Sequence, residues 1–147
     1  MDKGTGVVTS VPSDSPDDFA MLNDLKTKKG LREKLNVEEE WVANFEPIAI
    51  IDVPGIGDMC AVSECQRLKV QSHKDVDKLK EAKTICYQKG FYEGIMKVGP
   101  CAGMKVEEAK PIMKKLLLDQ NQAILYHEPE SEVVSRSGDQ CVVALKF

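Results

Sequence analysis

Residues 4–19 read GTGVVTSVPSDSPDDF, and this stretch combines three local signals that decide how the start of the chain folds. Residues 4–11 are rich in glycine and β-branched side chains and stop at a proline, which predicts a strand. Ser15 then has the side chain of a typical helix N-cap, and Pro16 suits the first helical position. The stretch therefore predicts a strand, a tight polar turn and a helix start, which together form a concave corner.

Asp17 and Asp18 follow that proline, and two interpretations of them stay open. In the first, both carboxylates interact with the positive end of the helix dipole and stabilise the helix by about 0.3–1 kcal/mol each. In the second, one carboxylate turns inward and binds a cationic group such as an α-ammonium. The residue pattern favours the first interpretation.

The rest of the chain predicts helices and strands in an irregular order. Helices are predicted at residues 16–30, 31–35, 59–69, 72–89 and 106–119. Further strands are predicted at residues 48–53, 91–98, 123–127, 132–135 and 141–147. We expect Gly30 to end the first helix, residues 72–75 to form a capping box, and Pro111 to start or kink the last helix. Because the order is no regular βαβ alternation, it predicts an α+β fold with a mixed or antiparallel sheet or barrel-like core and surrounding helices.

Composition limits the possible classes of protein. The 147 residues are 42% hydrophobic and 30% charged, with a net charge of −4, which fits one globular domain rather than a disordered chain. No apolar run approaches the roughly 18 residues of a membrane span, so we expect no membrane partner. The acidic balance excludes a surface that is basic throughout and leaves a local nucleic-acid contact open. Five cysteines, an odd number, favour reduced thiols over a disulfide framework.

A metal site is not favoured by the spacing of the possible ligands. Cys60 and Cys65 lie on one predicted helix and His73 follows it. These spacings match no familiar zinc motif. The two cysteines are better explained as small buried side chains, and we predict no metal site.

Gly55-x-Gly57 follows a predicted strand and precedes a predicted helix, an arrangement in which backbone N–H groups bind phosphate. The third glycine of the dinucleotide motif is absent, because Cys60 occupies its place. An ordinary turn is favoured, and nucleotide binding stays a weaker alternative.

Cys101 or Ser135 could act as a nucleophile with His127 as its base, since such partners need not be close in sequence. No nucleophile elbow surrounds either residue, and the histidine precedes a Glu-Pro pair. A surface histidine is the favoured interpretation.

Basic residues cluster where the first predicted helix ends and the second begins. They are Lys26, Lys28, Lys29, Arg32 and Lys34. Such a cluster is typical of a solvated face, but it also suits contact with nucleic-acid phosphates.

Residues 4–19 resemble the editing-domain motif of eukaryotic cytosolic leucyl-tRNA synthetases, and the resemblance extends along most of the chain. It continues through FEP at 45–47, KGFYEG at 89–94, SRSGD at 135–139 and CVVAL at 141–145. These class I enzymes attach leucine to its tRNA and hydrolyse wrong products in an inserted domain, because pockets distinguish side chains by only about 1–3 kcal/mol per methylene. The resemblance implies that residues 1–134 are the C-terminal part of an incomplete editing domain. Residues 135–147 would then be a strand region that leads back toward the catalytic core.

The resemblance also implies a role for individual residues. Asp18 matches the aspartate that anchors the α-ammonium of the misattached amino acid and so orients the ester for attack by water. The other implied pocket residues are Thr9, Ser10, Val11, Gly4, Gly6 and Asp14. The first three line the pocket for the amino acid and the terminal adenosine, and the glycines allow close backbone approach. No general base is assigned.

The implied partners are tRNA(Leu) that carries a wrong amino acid and the rest of the synthetase, with further contacts to other proteins, as in a multi-synthetase assembly, left open. The tRNA-contact candidates are Lys26, Lys28, Lys29 and Arg32. We expect a cytoplasmic location and no cofactor for this segment, since ATP and Mg serve the full-length enzyme. The family's threonine-rich segment, the other pocket wall, is expected upstream of this chain, so the segment alone should be weakly active or inactive. Two alternatives are a non-catalytic tRNA- or protein-binding module and a free-standing hydrolase that acts in trans.

Overall fold

Six helices and a small antiparallel sheet form the part of the chain that the computed structural model describes, residues 9–125 and 132–141. The helices are α1 (Pro16–Thr27), α2 (Lys29–Leu35), α3 (Glu39–Ala43), α4 (Cys60–Arg67), α5 (Val76–Tyr92) and α6 (Val106–Asp119). Strands β1 (Ile51–Asp52) and β2 (Ile95–Met96) pair antiparallel, with Ile51 opposite Met96. The predicted α+β class is confirmed.

The chain divides into two compact units, Met1–Ile112 and Met113–Phe147. The first unit holds both strands, α1 to α5 and the start of α6, and it contains the residues of the predicted corner. None of the described helices is long and apolar enough to cross a membrane.

Small side chains fill the core of the first unit between α1, α4 and α5. One cluster of buried residues consists of Val53, Cys60, Ala61 and Cys86, and a second consists of Ala20, Cys65 and Leu79. Phe19 packs against both clusters and so links the start of α1 to α4 and α5. Full burial of a side chain as large as Val53 stabilises a fold by about 1.5–3 kcal/mol.

The boundary between α1 and α2 differs from the prediction. α1 ends at Thr27 because Lys28 has an extended backbone, and Gly30 lies inside α2 instead of ending α1. The left-handed conformation that favours glycine occurs after α2 instead, at Asn36 with φ of 53°. The prediction that Gly30 ends the first helix is therefore wrong.

The capping box predicted at residues 72–75 is also wrong. The Ser72 hydroxyl donates a hydrogen bond to the distant carboxylate of Asp24, and Asp75 accepts one from the N–H of Gln71. α5 consequently begins at Val76. Tertiary contacts outside the helix determine its start, as they often override local propensity.

The predicted strands are longer than the observed ones. α5 continues to Tyr92, so the strand expected at 91–98 shortens to β2 (Ile95–Met96), and the one expected at 48–53 shortens to β1 (Ile51–Asp52) with a bridge from Val53 to Gly57. Residues 9–11 form no strand, since the N–H of Val11 donates its hydrogen bond to the Asp18 carboxylate and not to a neighbouring strand. The other residues of that predicted strand, 4–8, lie outside the described residues.

Predictions for the C-terminal part have mixed outcomes. The helix at 106–119 is confirmed as α6, but Pro111 lies inside it and does not start it. Residues 123–125 and 132–135 form no strand, although Val134 bridges Gln140. The rest of the predicted strands at 123–127 and 141–147 lies outside the described residues, apart from Cys141.

Candidate functional site

The predicted corner is a tight turn before α1, and the Asp18 side chain of that helix forms a hydrogen bond back to the turn. The carbonyl of Val11 accepts hydrogen bonds from the N–H groups of Asp14 (3.1 Å) and Ser15 (2.8 Å). The N–H of Val11 in turn donates to Oδ2 of Asp18, 2.8 Å away. Asp18 therefore points back toward the turn, where its carboxylate orientation is fixed.

The two neighbouring aspartates have different surroundings. Asp17 forms an ion pair with Lys83 of α5 at 2.8 Å, and this contact raises the pKa of the Lys83 amine. Among the residues that the structure describes, the N–H of Val11 is the hydrogen-bond partner of Asp18, and no lysine or arginine pairs with it. Asp17 thus joins α1 to α5, while the Asp18 carboxylate can still accept further hydrogen bonds.

Asp18 lines an open groove of about 320 Å³ between α1 and α3. The polar residues that line it are Ser10 and Asp18, and the apolar ones are Met21, Leu22, Leu25, Trp41, Val42 and Phe45. Trp41 is 62% exposed, so the groove is open to solvent beside its indole ring. One carboxylate on an otherwise largely apolar surface suits a ligand that joins an ammonium group to an aliphatic side chain.

Ser13 and Asp14 support the turn rather than the groove. Ser13 is buried, its hydroxyl donates to Asp14 at 2.6 Å, and its carbonyl accepts the N–H of Ala61 at 2.9 Å. Burial raises the pKa of Asp14; the Ser13 hydrogen bond opposes this effect, and the charge of Asp58 adds to it. These contacts attach the corner to the start of α4.

The structure brings together some of the predicted pocket residues. Ser10 and Asp18 line the groove, whereas Thr9, Val11 and Asp14 lie in the same corner but not in its lining. Gly4 and Gly6 lie outside the described residues. Sequence reasoning missed Trp41 and Phe45, whose spacing of four residues could have indicated a shared apolar face.

The four tRNA-contact candidates all form ion pairs. The pairs are Lys26–Glu46 (2.6 Å), Lys28–Asp24 (2.6 Å), Lys29–Glu33 (3.7 Å) and Arg32–Glu39 (2.6 Å). Arg32 is buried and also donates hydrogen bonds to the carbonyls of Leu25 and Lys26. Its guanidinium therefore joins α1 to α3, while the three lysines stay predicted contacts.

The Gly55-x-Gly57 turn uses its own backbone donors. The N–H groups of Ile56 and Gly57 both donate to the carbonyl of Val53, at 2.9 and 2.8 Å. Donors that are occupied in this way are not available to a phosphate. The geometry therefore gives no support to a nucleotide site at this turn.

The remaining candidates do not assemble into a site among the described residues. Cys101 is buried, and His127, its proposed base, lies outside the described residues. Cys60 and Cys65 are buried in the core, and His73 pairs with Asp24. Within residues 9–125 and 132–141, no group of three or more His, Cys, Asp or Glu side chains is placed to hold a metal ion.

Comparisons with known proteins give similar sequences and structures for nearly the whole chain. No protein-family model matches the sequence. The chain is 54% identical over 144 residues to the cytoplasmic leucine–tRNA ligase of Pongo abelii, in an alignment that covers 98% of this chain and 12% of that protein. The chain thus spans about an eighth of the length of this curated relative.

Solved structures give the same assignment for the fold. The crystal structure of GlLeuRS-CP1 matches with a TM-score of 0.76 and 50% identity, over 90% of this chain and 51% of that chain. The editing domain of P. falciparum cytosolic leucyl-tRNA synthetase matches with a TM-score of 0.72 and 38% identity, over 87% of this chain and 42% of that chain. Because sequence and fold agree along nearly all of its length, the chain is similar to part of the editing domain of leucyl-tRNA synthetases.

Proposed function

We propose that this chain forms one wall of the proofreading site of a leucine–tRNA ligase, which hydrolyses the ester between tRNA(Leu) and a wrong amino acid. The observation that carries the proposal is the difference between two consecutive aspartates. Asp17 is paired with Lys83, whereas Asp18 lines the groove beside Ser10. A carboxylate in that position can accept hydrogen bonds from the α-ammonium of an aminoacyl ester.

In this proposal Asp18 binds and orients the substrate. The N–H of Val11 holds Oδ2, and the carboxylate has further lone pairs with which it can bind an ammonium group. A fixed ammonium limits the positions of the neighbouring ester carbonyl and so favours attack by a bound water. The apolar lining of the groove suits the aliphatic side chain of isoleucine or valine.

The proposed partners are tRNA(Leu) that carries a wrong amino acid and the rest of the synthetase. Lys26, Lys28 and Lys29 are proposed to contact tRNA phosphates.

Residues 1–134 supply the editing part, and 135–147 lead back toward the catalytic core. We propose that ester hydrolysis here uses no cofactor, with ATP and Mg serving aminoacylation in the full-length enzyme. The curated relatives are named as cytoplasmic enzymes, and we assign the same location to this chain.

The proposal is tested by the hydrolysis of isoleucyl-tRNA(Leu). The assay uses this chain and a longer form that includes the residues preceding this stretch in the relatives, each with Asp18→Asn or with Asp17→Asn as the matched control. In the active form we expect Asp18→Asn to lower the rate by about tenfold or more, equivalent to about 1.4 kcal/mol of lost interaction, and Asp17→Asn to change it less than about threefold.

Equal effects of the two substitutions would contradict the role of Asp18. If neither form hydrolyses the ester but both bind tRNA, the chain is instead a binding module derived from the same domain. Hydrolysis that is as fast with this chain alone as with the longer form would contradict the expectation that the other wall is needed.

A further inference from the structure

Two buried thiols face each other between α4 and α5. The Sγ atoms of Cys60 and Cys86 are 3.2 Å apart, and both residues are in the core, at 0% and 3% exposure. A disulfide places the sulfurs at about 2.05 Å, so the two atoms must approach by only about 1 Å to form one. Among the described residues, this is the cysteine pair whose sulfur atoms are in contact.

We propose that Cys60 and Cys86 form an oxidation site, at which a small hydroperoxide such as hydrogen peroxide converts the two thiols to a disulfide that joins α4 to α5. The inference is independent of the proposed function, because it depends on the distance between two side chains in the core. Burial restricts the oxidant to a molecule close to water in size, which excludes bulky disulfides as reagents.

Cys60 is the residue that reacts first. It is the first residue of α4, where the helix dipole stabilises a thiolate, and its hydrogen bond with Cys86 lowers its pKa. The same hydrogen bond raises the pKa of Cys86, which stays a thiol until the second step. The geometry therefore gives the two sulfurs distinct roles, one as the nucleophile and the other as the resolving thiol.

The two steps balance without any further reagent. The Cys60 thiolate attacks one peroxide oxygen, an S–O bond forms, the O–O bond breaks, and the hydroxide that leaves takes up a proton to become water. Cys86 sulfur then attacks the Cys60 sulfenic acid, an S–S bond forms, the S–O bond breaks, and hydroxide leaves with the Cys86 proton as a second water. Two thiols are oxidised, and one peroxide is reduced to two molecules of water.

The site lies next to the candidate corner. Ala61 follows Cys60 in α4, and its N–H donates to the carbonyl of Ser13 in the turn at 2.9 Å. A covalent bond at Cys60 therefore restrains the helix end that supports this turn. Disulfide formation between α4 and α5 should reduce hydrogen exchange at the amide of Ala61.

The test treats the folded chain with hydrogen peroxide, alkylates the remaining thiols after unfolding, and maps the peptides by mass spectrometry without reductant. We expect a linked pair of peptides that contain Cys60 and Cys86, with three of the five cysteines alkylated. Dithiothreitol should restore all five. Oxidation confined to Cys141, or links between other cysteines in at least equal amount, would overturn the proposal.

Variants separate the two roles. Cys101→Ala is the matched control, because Cys101 is also buried but lies outside the pair, and this variant should still form the link. Cys86→Ser keeps a hydrogen-bond donor beside Cys60 but no thiol, so it should stop at the sulfenic acid on Cys60, which dimedone traps when it is added together with denaturant after the peroxide treatment. If Cys86→Ser gives no dimedone adduct on Cys60 while its circular dichroism matches that of the wild type, Cys60 is not the nucleophile and the proposal fails. Should this variant not fold, the link in the wild-type chain decides alone.

Discussion

Asp24 of α1 and His73, which precedes α5, are paired although 49 positions separate them in the sequence. His73 Nδ1 lies 2.5 Å from Asp24 Oδ2, and the N–H of His73 donates to the same oxygen at 3.1 Å. Ser72 Oγ donates to it as well, at 2.8 Å, and Lys28 Nζ lies 2.6 Å from the other oxygen. The Asp24 side chain is fully buried, so a single carboxylate joins α1 to the segment before α5.

We expect Asp24→Asn to lower the free energy of unfolding by about 2–3 kcal/mol, because it removes a buried charge that several donors share. Urea unfolding followed by circular dichroism at pH 7 measures the loss. Asp77→Asn is the matched control, since Asp77 is an exposed aspartate in the first turn of α5, and it should change the value by at most about 1 kcal/mol through the helix dipole. Similar losses in both variants would show that Asp24 contributes no more to the free energy of unfolding than an exposed aspartate does.

The same carboxylate predicts a pH dependence. Burial acts to raise the pKa of Asp24, but the hydrogen bonds from Lys28, Ser72 and His73 outweigh burial and lower it from 3.8 to about 2. A pKa that is lower in the folded state stabilises the fold above the unfolded value, and this contribution is lost as pH falls from about 4 to 2. It amounts to roughly 2 kcal/mol.

Urea unfolding of the wild type and of Asp24→Asn between pH 2 and 6 checks this expectation. The difference between the two stabilities should be largest above pH 5 and should shrink toward pH 2. A difference that stays constant over this range would mean that Asp24 does not titrate as expected.

Local signals in the sequence predicted the turn and the helix start of the corner, but not the backbone of residues 9–11, which form no strand. The start of α1 follows from Pro16 and the polar residues before it, and the helix at 106–119 follows from its apolar periodicity. In these segments neighbouring residues determine the backbone, so a short window is enough. The resemblance to the editing domain begins at the same stretch, residues 4–19, of which the structure describes residues 9–19, and it extends along most of the chain.

The other features of the fold and of the candidate site could not be predicted, because they depend on contacts between residues that are distant in the sequence. No window contains both Asp24 and Ser72, so the sequence predicted a capping box where the structure has a tertiary hydrogen bond. Arg32 was assigned to a basic cluster, since a charge pattern does not show which cation is buried. A partial signal existed for Asp24, which lies four residues after the buried Ala20 on the same helix face.

Arg32→Ala should lower the free energy of unfolding by about 2–3 kcal/mol, because Glu39 and two backbone carbonyls lose a buried, charged donor. Lys29→Ala is the control from the same helix. Lys29 is exposed and its ion pair with Glu33 is long, at 3.7 Å, so its loss should cost less than about 0.5 kcal/mol. Thermal and urea unfolding measure both.

This comparison also decides how tRNA binding should be tested. If Arg32→Ala unfolds the chain, weaker tRNA binding by that variant reports lost structure, and only the lysine variants report phosphate contacts. Equal stability of Arg32→Ala and the wild type would contradict the structural role and would return Arg32 to the set of contact candidates.

Trp41 provides a signal for binding in the groove, because it is the chain's one tryptophan and lines the groove with Asp18. We expect an aminoacyl-adenosine analogue, with an amide in place of the ester, to change its emission in a saturable way. Asp18→Asn should weaken the apparent affinity by about tenfold, since a charge-assisted contact of about 1.4 kcal/mol is lost, and Asp17→Asn should leave it unchanged. Equal apparent affinities in the two variants would contradict the role of Asp18 in binding the ligand.

Gly94 lies between α5 and β2, where its surroundings leave no room for a side chain. A Cβ atom there would lie 2.2 Å from the carbonyl oxygen of Gly90 and 2.7 Å from Cγ2 of Ile51 in β1. Because the first neighbour is a backbone atom, this clash can be relieved only if the end of α5 or the strand moves. We therefore expect Gly94→Ala to lower the free energy of unfolding by about 2–3 kcal/mol.

Gly90→Ala is the matched control within α5. A Cβ at Gly90 meets no atom within 4 Å, so alanine should raise the free energy of unfolding by about 0.5–1 kcal/mol through its higher helix propensity. Urea unfolding of the two variants should thus give shifts of opposite sign. Shifts of the same sign would mean that helix propensity, rather than the approach of α5 to β1, determines the effect of alanine at these positions.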